Sequence, residues 1–552
     1  MKKNRILTIA AILLMLVFPV ALEVYDAAIT GDEVVTYSMA NNSNGGFVFS
    51  EGRVAAYFKE YIVSDSVSGF FANLRREAED VLQNRRSARF FQYKTDSEVH
   101  YYTQDEMQDW FEKREYERFN LQDTWLFSQS DDANSYLYYC LLNVCSSLFP
   151  LISATKWSGF LLNFVLYGIL LALFYRLARH LDAKPVPAVV FTLLTALSYE
   201  VLNKVVYIRT YVLAMCFVIL LADCHVQLWK QCRERKESNR IRIWFFVPII
   251  VLAYISHYTT AFFTASLAIA TVIFLIRNGQ KRRALSYSLV IILSGILALA
   301  ADPVSVPGML SKLTGGSGGG ASAFLSELNQ YFLMSLIPGI LMALWLIGTI
   351  IASYLRSQQR RKFPPAYKTL LAAAVIFLVI ILAGTKGPRY LSVATPIFLI
   401  LLEIYVWDRF SVFKPEKGGN VIAVITIVLY LVSSCIYTVR TINAANSDST
   451  NTEAVLSEVR DNTCIFLRNR RSGYQNAWYL PQFSASQVIT LSTDNWEELV
   501  DEKVFENDGL IVMVDPSAAE DVPEEWFTAH SYKRNECLLK NEAIELYEYR
   551  RS

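Results

Sequence analysis

Eleven stretches of this sequence are apolar for long enough to cross the ~30 Å hydrocarbon core of a bilayer, a span of about 17 to 25 helical residues. They are 6 to 22, 157 to 175, 185 to 200, 208 to 228, 243 to 256, 259 to 276, 284 to 301, 331 to 354, 368 to 384, 390 to 407 and 420 to 439. Backbone in hydrocarbon must satisfy its own hydrogen bonds, so repeated runs of this length predict membrane-crossing helices. Composition agrees: of 552 residues 53% are hydrophobic and only 19% charged, too apolar for a soluble chain of this size. A net charge of +1 provides no field to draw nucleic acid. The expected fold is a multi-pass α-helical membrane protein of about 11 to 13 transmembrane helices.

Loop charge orients the spans. One further apolar run, Tyr136 to Ile152 ("YLYYCLLNVCSSLFPLI"), is ambiguous. If it does not cross, one face of the membrane receives the basic loops: Lys2, Lys3 and Arg5; Arg176, Arg179 and Lys184; "KQCRERKESNRIR"; "RNGQKRR"; "RSQQRRKFPPAYK"; and Arg409, Lys414 and Lys417. The short loops of the other face hold only Lys204, Arg209, Lys312, Lys386 and Arg389. If the run crossed, 21 basic residues would turn outward, against the positive-inside rule. It is therefore read as a juxtamembrane or re-entrant helix on the outer side, with the N-terminus cytoplasmic and the C-terminal region extracytoplasmic. Met1 to Leu22 also has the basic start and apolar core of a signal peptide, but no small-x-small cleavage site follows it.

The domain organisation follows: a first transmembrane helix over 1–22, an outer loop over 23–134, a multi-span membrane domain over 135–440 and an extracytoplasmic α/β domain over 441–552. In the outer loop, "NLRREAEDVLQNRRSARFF" and "DEMQDWFEKREYERFNLQD" predict amphipathic helices lying over the membrane surface. The last region alternates strand-like runs ("CIFLRN", "QVITLS", "GLIVMVD", "AIELYEY") with helix-like ones ("NTEAVLSEVRD", "NWEELVDEKVF", "SAAEDVPEEWF"), the pattern of a small α/β module. Its Cys464 and Cys537 are the pair a disulfide would use; most of the other cysteines sit in apolar runs as small core residues. The Gly-rich "SKLTGGSGGGASAF" lacks the Gly-Lys-Ser/Thr ending of a phosphate loop and reads as a flap or hinge. Gly45-Gly46 reads as a turn into the outer loop.

At the outer ends of the spans acids, bases and aromatic residues gather at one level. Asp32 and Glu33 follow the first span; Asp131, Asp132 and Asn134 precede the re-entrant run; Lys204, Arg209 and Tyr211 share a turn, as do His257 and Tyr258, and Lys386, Arg389 and Tyr390. Singly, each has an ordinary explanation: an Arg-Tyr pair anchors a helix at the headgroups, a turn histidine is hydrogen-bonded, and "DEVV" starts a helix. Together they suit a polar cavity at the membrane edge. A lipid phosphate there needs cationic clamps, which Lys204, Arg209, Lys386 and Arg389 can supply. Displacing that phosphate from a sugar carbon by an acceptor hydroxyl needs a general base, for which Asp32 is the candidate. Glu33 could share that work, orient the acceptor or hold a divalent cation, Mg²⁺ or Mn²⁺.

Five ordered segments, "GDEVVTYSMA", "DDANSYLYY", "VVYIRTYVLA", "YISHYTTAF" and "KGPRYLSVATPIFLILL", resemble the signature of the integral-membrane glycosyltransferases of the C superfamily, in the bacterial branch related to protein mannosyltransferases and the lipid A aminoarabinose transferase. The resemblance spans roughly residues 1 to 440. It implies a multi-pass fold, a polyprenyl-phosphate sugar as donor, inversion at the anomeric carbon and Asp32 as the catalytic acid of the first outer loop, with Glu33 its neighbour. In it Arg209 and Tyr211 match the Arg-x-Tyr position, His257 and Tyr258 a His-Tyr pair, and Arg389 and Tyr390 the late Arg-Tyr pair that contacts lipid phosphate. With the residue reading, the candidate lipid-phosphate ligands are Arg209, Tyr211, Lys386, Arg389 and Tyr390, and the candidates for other substrate contacts are Asp132, Asn134, Tyr138, His257 and Tyr258. Where the family commonly reads Asp-x-His-Pro-Pro-Leu-Tyr-Tyr, this chain reads Asp132-Ala133-Asn134-Ser135-Tyr136-Leu137-Tyr138-Tyr139, without the titratable ring and the rigid helix start.

The leading expectation is a glycosyltransferase of a bacterial cell membrane, taking a sugar from a polyprenyl-phosphate carrier to a glycan, lipid or protein acceptor. Two others stand beside it. A transporter or lipid flippase should carry ionisable or helix-breaking residues near mid-membrane, whereas here polar groups collect at one face. A transferase-like protein without activity, serving in envelope assembly, would fit the altered Asp132 to Tyr139 motif.

Overall fold

The structure is a computed structural model that describes, apart from isolated positions, residues 2–26, 30–41, 60–84, 100–108, 113–128, 136–150, 156–234, 243–302, 363–384, 390–411, 430–443, 459–468, 484–492, 507–514, 524–540 and 545–552. In chain order the elements used below are α1 (Lys2–Tyr25), α2 (Gly31–Asn41), α3 (Val67–Asn84), β1 (His100–Thr103), α4 (Gln104–Gln108), α5 (Leu121–Ser128), α6 (Leu137–Leu148), α7 (Lys156–His180), α8 (Pro185–Ala196), α9 (Tyr199–Val206), α10 (Tyr211–Glu234), α11 (Phe246–Tyr254), α12 (Thr259–Arg277), α13 (Lys281–Ala301), α14 (Pro365–Gly384) and α15 (Thr395–Ser411). Then follow β2 (Thr463–Arg468), β3 (Gln487–Ser492), β4 (Gly509–Val514), α16 (Glu524–Ala529), β5 (Tyr532–Lys540) and β6 (Glu545–Arg551). The chain divides into two compact units, one of 1–26, 133–138 and 160–441, the other of 27–132, 139–159 and 442–552.

The first unit is helical. Among the described residues four helices, α7, α10, α12 and α13, are long and apolar enough to cross a membrane, or five spans if the bent pair α8 and α9 counts as one. The protein is thus a multi-pass helical membrane protein. The predicted runs 331–354 and 420–439 lie wholly or mostly outside the described residues. Helix α13 shows why these helices belong in hydrocarbon: Leu285, Leu289, Ile292 and Ile296, spaced on one face, are each more than half exposed, while its opposite side buries Tyr287, Val290 and Ser294. An apolar stripe turned outward is at rest only against lipid tails. Helix α10 is mostly buried and forms the centre of the unit. Its polar residues are satisfied within the bundle: His225 bonds the Leu221 carbonyl at 2.7 Å and the Tyr287 hydroxyl at 2.7 Å, and Trp229 Nε1 donates to Thr271 Oγ1 at 3.0 Å. Asp223, fully buried, takes Arg176 and His180 from α7 and Gln227 from its own helix.

The predicted span 185–200 is not one straight helix. Its two parts meet at 59°. Ser198 leaves the helical region at ψ 147°, its hydroxyl takes the Thr195 carbonyl at 2.7 Å, and the freed Tyr199 N–H goes to Ser434 Oγ at 3.2 Å. The ambiguous run from Tyr136 forms α6, only 12 residues, about 18 Å at 1.5 Å per residue and short of the hydrocarbon core.

The second unit carries a six-stranded sheet in the order β1-β3-β2-β4-β6-β5. Strands β3, β2 and β4 are parallel, and the antiparallel β1 on one side and β6 and β5 on the other complete it. Its core joins Ile465, Leu467, Ile489, Leu491, Leu510, Val512 and Val514 to Phe527 of α16, whose ring lies 4.5 Å from that of Tyr549. Two strands were not expected. Strand β5 (YKRNECLLK) is an edge with most side chains in solvent and shows no apolar alternation. Strand β1 comes from the first outer loop, so the loop and the C-terminal region share one sheet.

Two further expectations need correction. The helix predicted across "DEMQDWFEKREYERFNLQD" is broken: α4 ends at Gln108 and α5 begins at Leu121. The break is local chemistry, since Phe119 takes a positive φ of 57° and Asn120 Oδ1 accepts the Asp123 N–H at 3.2 Å as the cap of a new helix. Cys464 and Cys537 are both free thiols, one in the core of β2 and the other exposed on β5, with β4 and β6 between those strands. Burial pushes the Cys464 thiol up to about 12. The Gly-rich loop, Gly45-Gly46 and the helix-like "NWEELVDEKVF" lie outside the described residues.

Candidate active site

In the second unit, Asp32 and Glu33 stand in the first turn of α2. Thr30 and Glu33 form a capping box: Glu33 Oε2 accepts the Thr30 N–H at 2.8 Å and its hydroxyl at 3.0 Å, which ties off the helix start. Glu33 Oε1 lies 3.6 Å from Nζ of Lys156, the first residue of α7, and both side chains are buried. Asp32 is half-buried, and its carbonyl accepts from Thr36 Oγ1 at 2.9 Å. One turn further, the Tyr37 hydroxyl donates to the Lys156 carbonyl at 3.0 Å and accepts the Gly159 N–H at 3.0 Å. At the far end the carbonyl of Ala40 receives Asn143 Nδ2 at 2.8 Å, Thr124 Oγ1 at 3.4 Å and Lys113 Nζ at 3.4 Å. Helix α2 has only 11 residues, too few to be stable alone. These side chains hold it at both ends.

In the first unit three turns far apart in sequence converge. Lys204 lies in the last turn of α9, Tyr207 and Arg209 in the turn that follows, and Tyr211 opens α10; the turn between α11 and α12 carries His257 and Tyr258; Tyr390 precedes α15. The Tyr211 ring lies 5.6 Å from His257 and 6.4 Å from Tyr390, and the His257 ring lies 4.7 Å from Tyr258 and 6.0 Å from Tyr390. Lys204 Nζ sits 5.0 Å from the centre of Tyr207 and 5.3 Å from that of Tyr211, where the ring faces attract a cation. Lys204 and Arg209 are both buried. The Thr259 N–H donates to His257 Nδ1 at 3.2 Å, which puts the proton of the neutral ring on Nε2.

The turns are set by side chains. Asn163 of α7 donates to the carbonyls of Val205 at 3.1 Å and Tyr207 at 3.0 Å, the open end of α9, and accepts from the Tyr138 hydroxyl at 2.9 Å. Arg209 N–H bonds the Tyr207 carbonyl at 2.8 Å, a three-residue turn, and the Thr210 hydroxyl donates to the Ser256 carbonyl. Tyr211, His257, Tyr258 and Tyr390 are brought together, and Arg209 lies buried two residues before Tyr211. Tyr138, taken from the sequence as a substrate contact, is fully buried and spends its hydroxyl on Asn163. Lys386, Arg389, Asp132 and Asn134 lie outside the described residues. Sequence reading missed Lys156 and Asn163. A lone lysine before an apolar run, or a lone asparagine inside it, carries no local sign of its partners 123 residues upstream or some 40 downstream.

Several solved structures are similar to this chain. ArnT from Cupriavidus metallidurans, bound to undecaprenyl phosphate, is 10% identical with a TM-score of 0.46, over 76% of this chain and 88% of that one. The oligosaccharyltransferase AglB from Archaeoglobus fulgidus, in complex with an inhibitory peptide and a dolichol-phosphate, is 11% identical at 0.41, over 70% and 62%. The same archaeal enzyme with zinc and sulfate scores 0.39 at 11% identity, over 72% and 61%. With scores this low the likeness does not carry function to this chain. No family model and no curated protein matches it.

Glu33 does not fit as a ligand of the divalent cation considered from the sequence. Its two oxygens already receive an amide, a hydroxyl and an ammonium, and a metal ion would have to displace that cation. Among the described residues no three His, Cys, Asp or Glu side chains group as ligands.

Proposed function

We propose that this chain is an inverting glycosyltransferase that moves a sugar from a polyprenyl-phosphate carrier to an acceptor on the outer face of a bacterial membrane. The observation that carries the reading is the convergence of three turns distant in sequence, which bring buried Tyr211, His257, Tyr258 and Tyr390 together beside the buried cations Lys204 and Arg209. A guanidinium, an ammonium, phenols and an imidazole N–H are the hydrogen-bond donors that a phosphate accepts. In this reading Arg209, Lys204, Tyr211 and Tyr390, with Lys386 and Arg389, hold the carrier phosphate, while His257 and Tyr258 contact the donor. Asp132 and Asn134 are assigned to the acceptor side.

The chemistry then needs one base. Asp32 takes the proton of the acceptor hydroxyl as its oxygen bonds to the anomeric carbon. The bond from that carbon to the phosphate oxygen breaks, and the electron pair leaves with the polyprenyl phosphate. Cations at that phosphate stabilise the charge as it develops. Attack opposite the leaving group inverts the carbon. The N-terminus is cytoplasmic and the α/β domain extracytoplasmic in this reading, as loop charge favours.

Transfer from a polyprenyl-phosphate sugar pool, measured in membranes holding wild type or Asp32→Asn, tests it. The variant should lose about 10²-fold or more of the rate, the usual contribution of a general base. Undiminished transfer by Asp32→Asn would remove Asp32 as the base.

A further inference from the structure

The Glu33–Lys156 pair is buried chemistry that the transfer step does not consume. Lys156 is 8% exposed and Glu33 only 1%. Residue 156 grips α2 twice, with its ammonium 3.6 Å from Glu33 and with its carbonyl on the Tyr37 hydroxyl one turn later. A buried ion pair contributes little net stability against an apolar pair of similar volume, but removing one member leaves an uncompensated charge, so it enforces one geometry strongly. What it enforces here is the rotation of α2 about its own axis. Asp32 is one residue away, about 100° round the helix. A 20° turn of α2 would carry a carboxylate ~6 Å off its axis by about 2 Å.

We propose that Lys156 is a positioning residue for the transfer reaction: through Glu33 it fixes the rotation of α2 and so aims the Asp32 carboxylate at the acceptor hydroxyl. This rests on the reading of Asp32 as base. It divides the adjacent acids by role, since Glu33, held by Lys156 and by the Thr30 cap, transfers no proton. A misplacement of about 1 Å can cost about 10²-fold in rate without weakening binding.

The test uses the full-length protein in membranes with a polyprenyl-phosphate sugar as donor, comparing Asp32→Asn, Lys156→Arg, Glu33→Gln and the double variant Glu33→Gln with Lys156→Met. The double variant removes both charges of the Glu33–Lys156 pair together, and the Gln amide oxygen can still accept the Thr30 N–H. It should unfold close to the wild-type temperature while kcat falls by about 10²-fold and the donor KM stays within about twofold. Lys156→Arg, which keeps the cation, should retain most of kcat. A wild-type kcat in the double variant, with Asp32→Asn inactive, overturns the positioning role and leaves the base in place. Full activity of Asp32→Asn removes the base itself. Should the double variant not fold, Glu33→Gln alone decides, because its cap is intact; an unchanged kcat there overturns the proposal.

Discussion

Adjacent residues in one helical turn meet different surroundings here, and the difference is chemical. Glu33 is enclosed by a cap and a lysine, while Asp32 is half-buried. Lys113, which reaches the Ala40 carbonyl at the other end of α2, shows how such enclosure can be read in solution. Burial holds its ammonium at about 8, below the ordinary 10.5, outweighing the attraction of Glu117. A folded-state value below the unfolded one means that the unfolded chain binds more protons between pH 8 and pH 10.5. The Lys113 contribution to stability therefore rises with pH across that window and is constant below it. Thermal unfolding of wild type and Lys113→Met, compared from pH 7 to pH 10, should show the difference between them shift toward the wild type as pH rises. A pH-independent difference would mean that Lys113 is ordinarily solvated.

At the scale of elements, short helices and turns are held by side chains from elsewhere in the chain. Asn163 caps the open end of α9 and fixes the turn that carries Arg209. Asn163→Ala takes the amide donor from the buried Val205 carbonyl and leaves the Tyr207 carbonyl only the Arg209 N–H, and should cost about 1–3 kcal/mol. Asn163→Asp, nearly the same shape, should cost more, since an oxygen then faces those carbonyls. Thermal unfolding together with binding of polyprenyl phosphate checks both; equal stability of the Asp variant and wild type would refute the capping role. The spans around 157–175, 208–228, 259–276 and 284–301 were legible because hydropathy over a long window outweighs local detail. Strands β2, β3, β4 and β6 were legible from their short apolar runs. The polar edge strand β5 and the four-residue β1 were not, because an edge needs no apolar pattern and a short strand exists only by its pairing.

For the whole molecule, orientation is the property from which the functional assignment starts, and it rests on loop charge. Cys537 is exposed on the α/β domain, and Arg282 is exposed at the start of α13, after the tight turn in which Gly279 takes a φ of +73°. A membrane-impermeant maleimide applied to intact cells should label Cys537. In a Cys537→Ser background it should fail to label Arg282→Cys until the membrane is opened. External labelling of Arg282→Cys would overturn the orientation and the grouping of outer-face residues built on it. Cys464, buried in the sheet, should react only after unfolding.

The sequence by itself determined the class of fold, the approximate positions of the long spans and the residue types gathered at their outer ends, because hydrophobic length and charge bias act along the chain. It also suggested that Tyr211, His257 and Tyr390 share a purpose. Only the tertiary structure decided that Glu33 is bound to Lys156 and Tyr138 to Asn163, that the outer loop lends a strand to the C-terminal sheet, and that Cys464 and Cys537 are not bonded. Each of these depends on partners distant in sequence, and a buried polar group is defined by what three-dimensional packing sets against it, for which local sequence holds no sign.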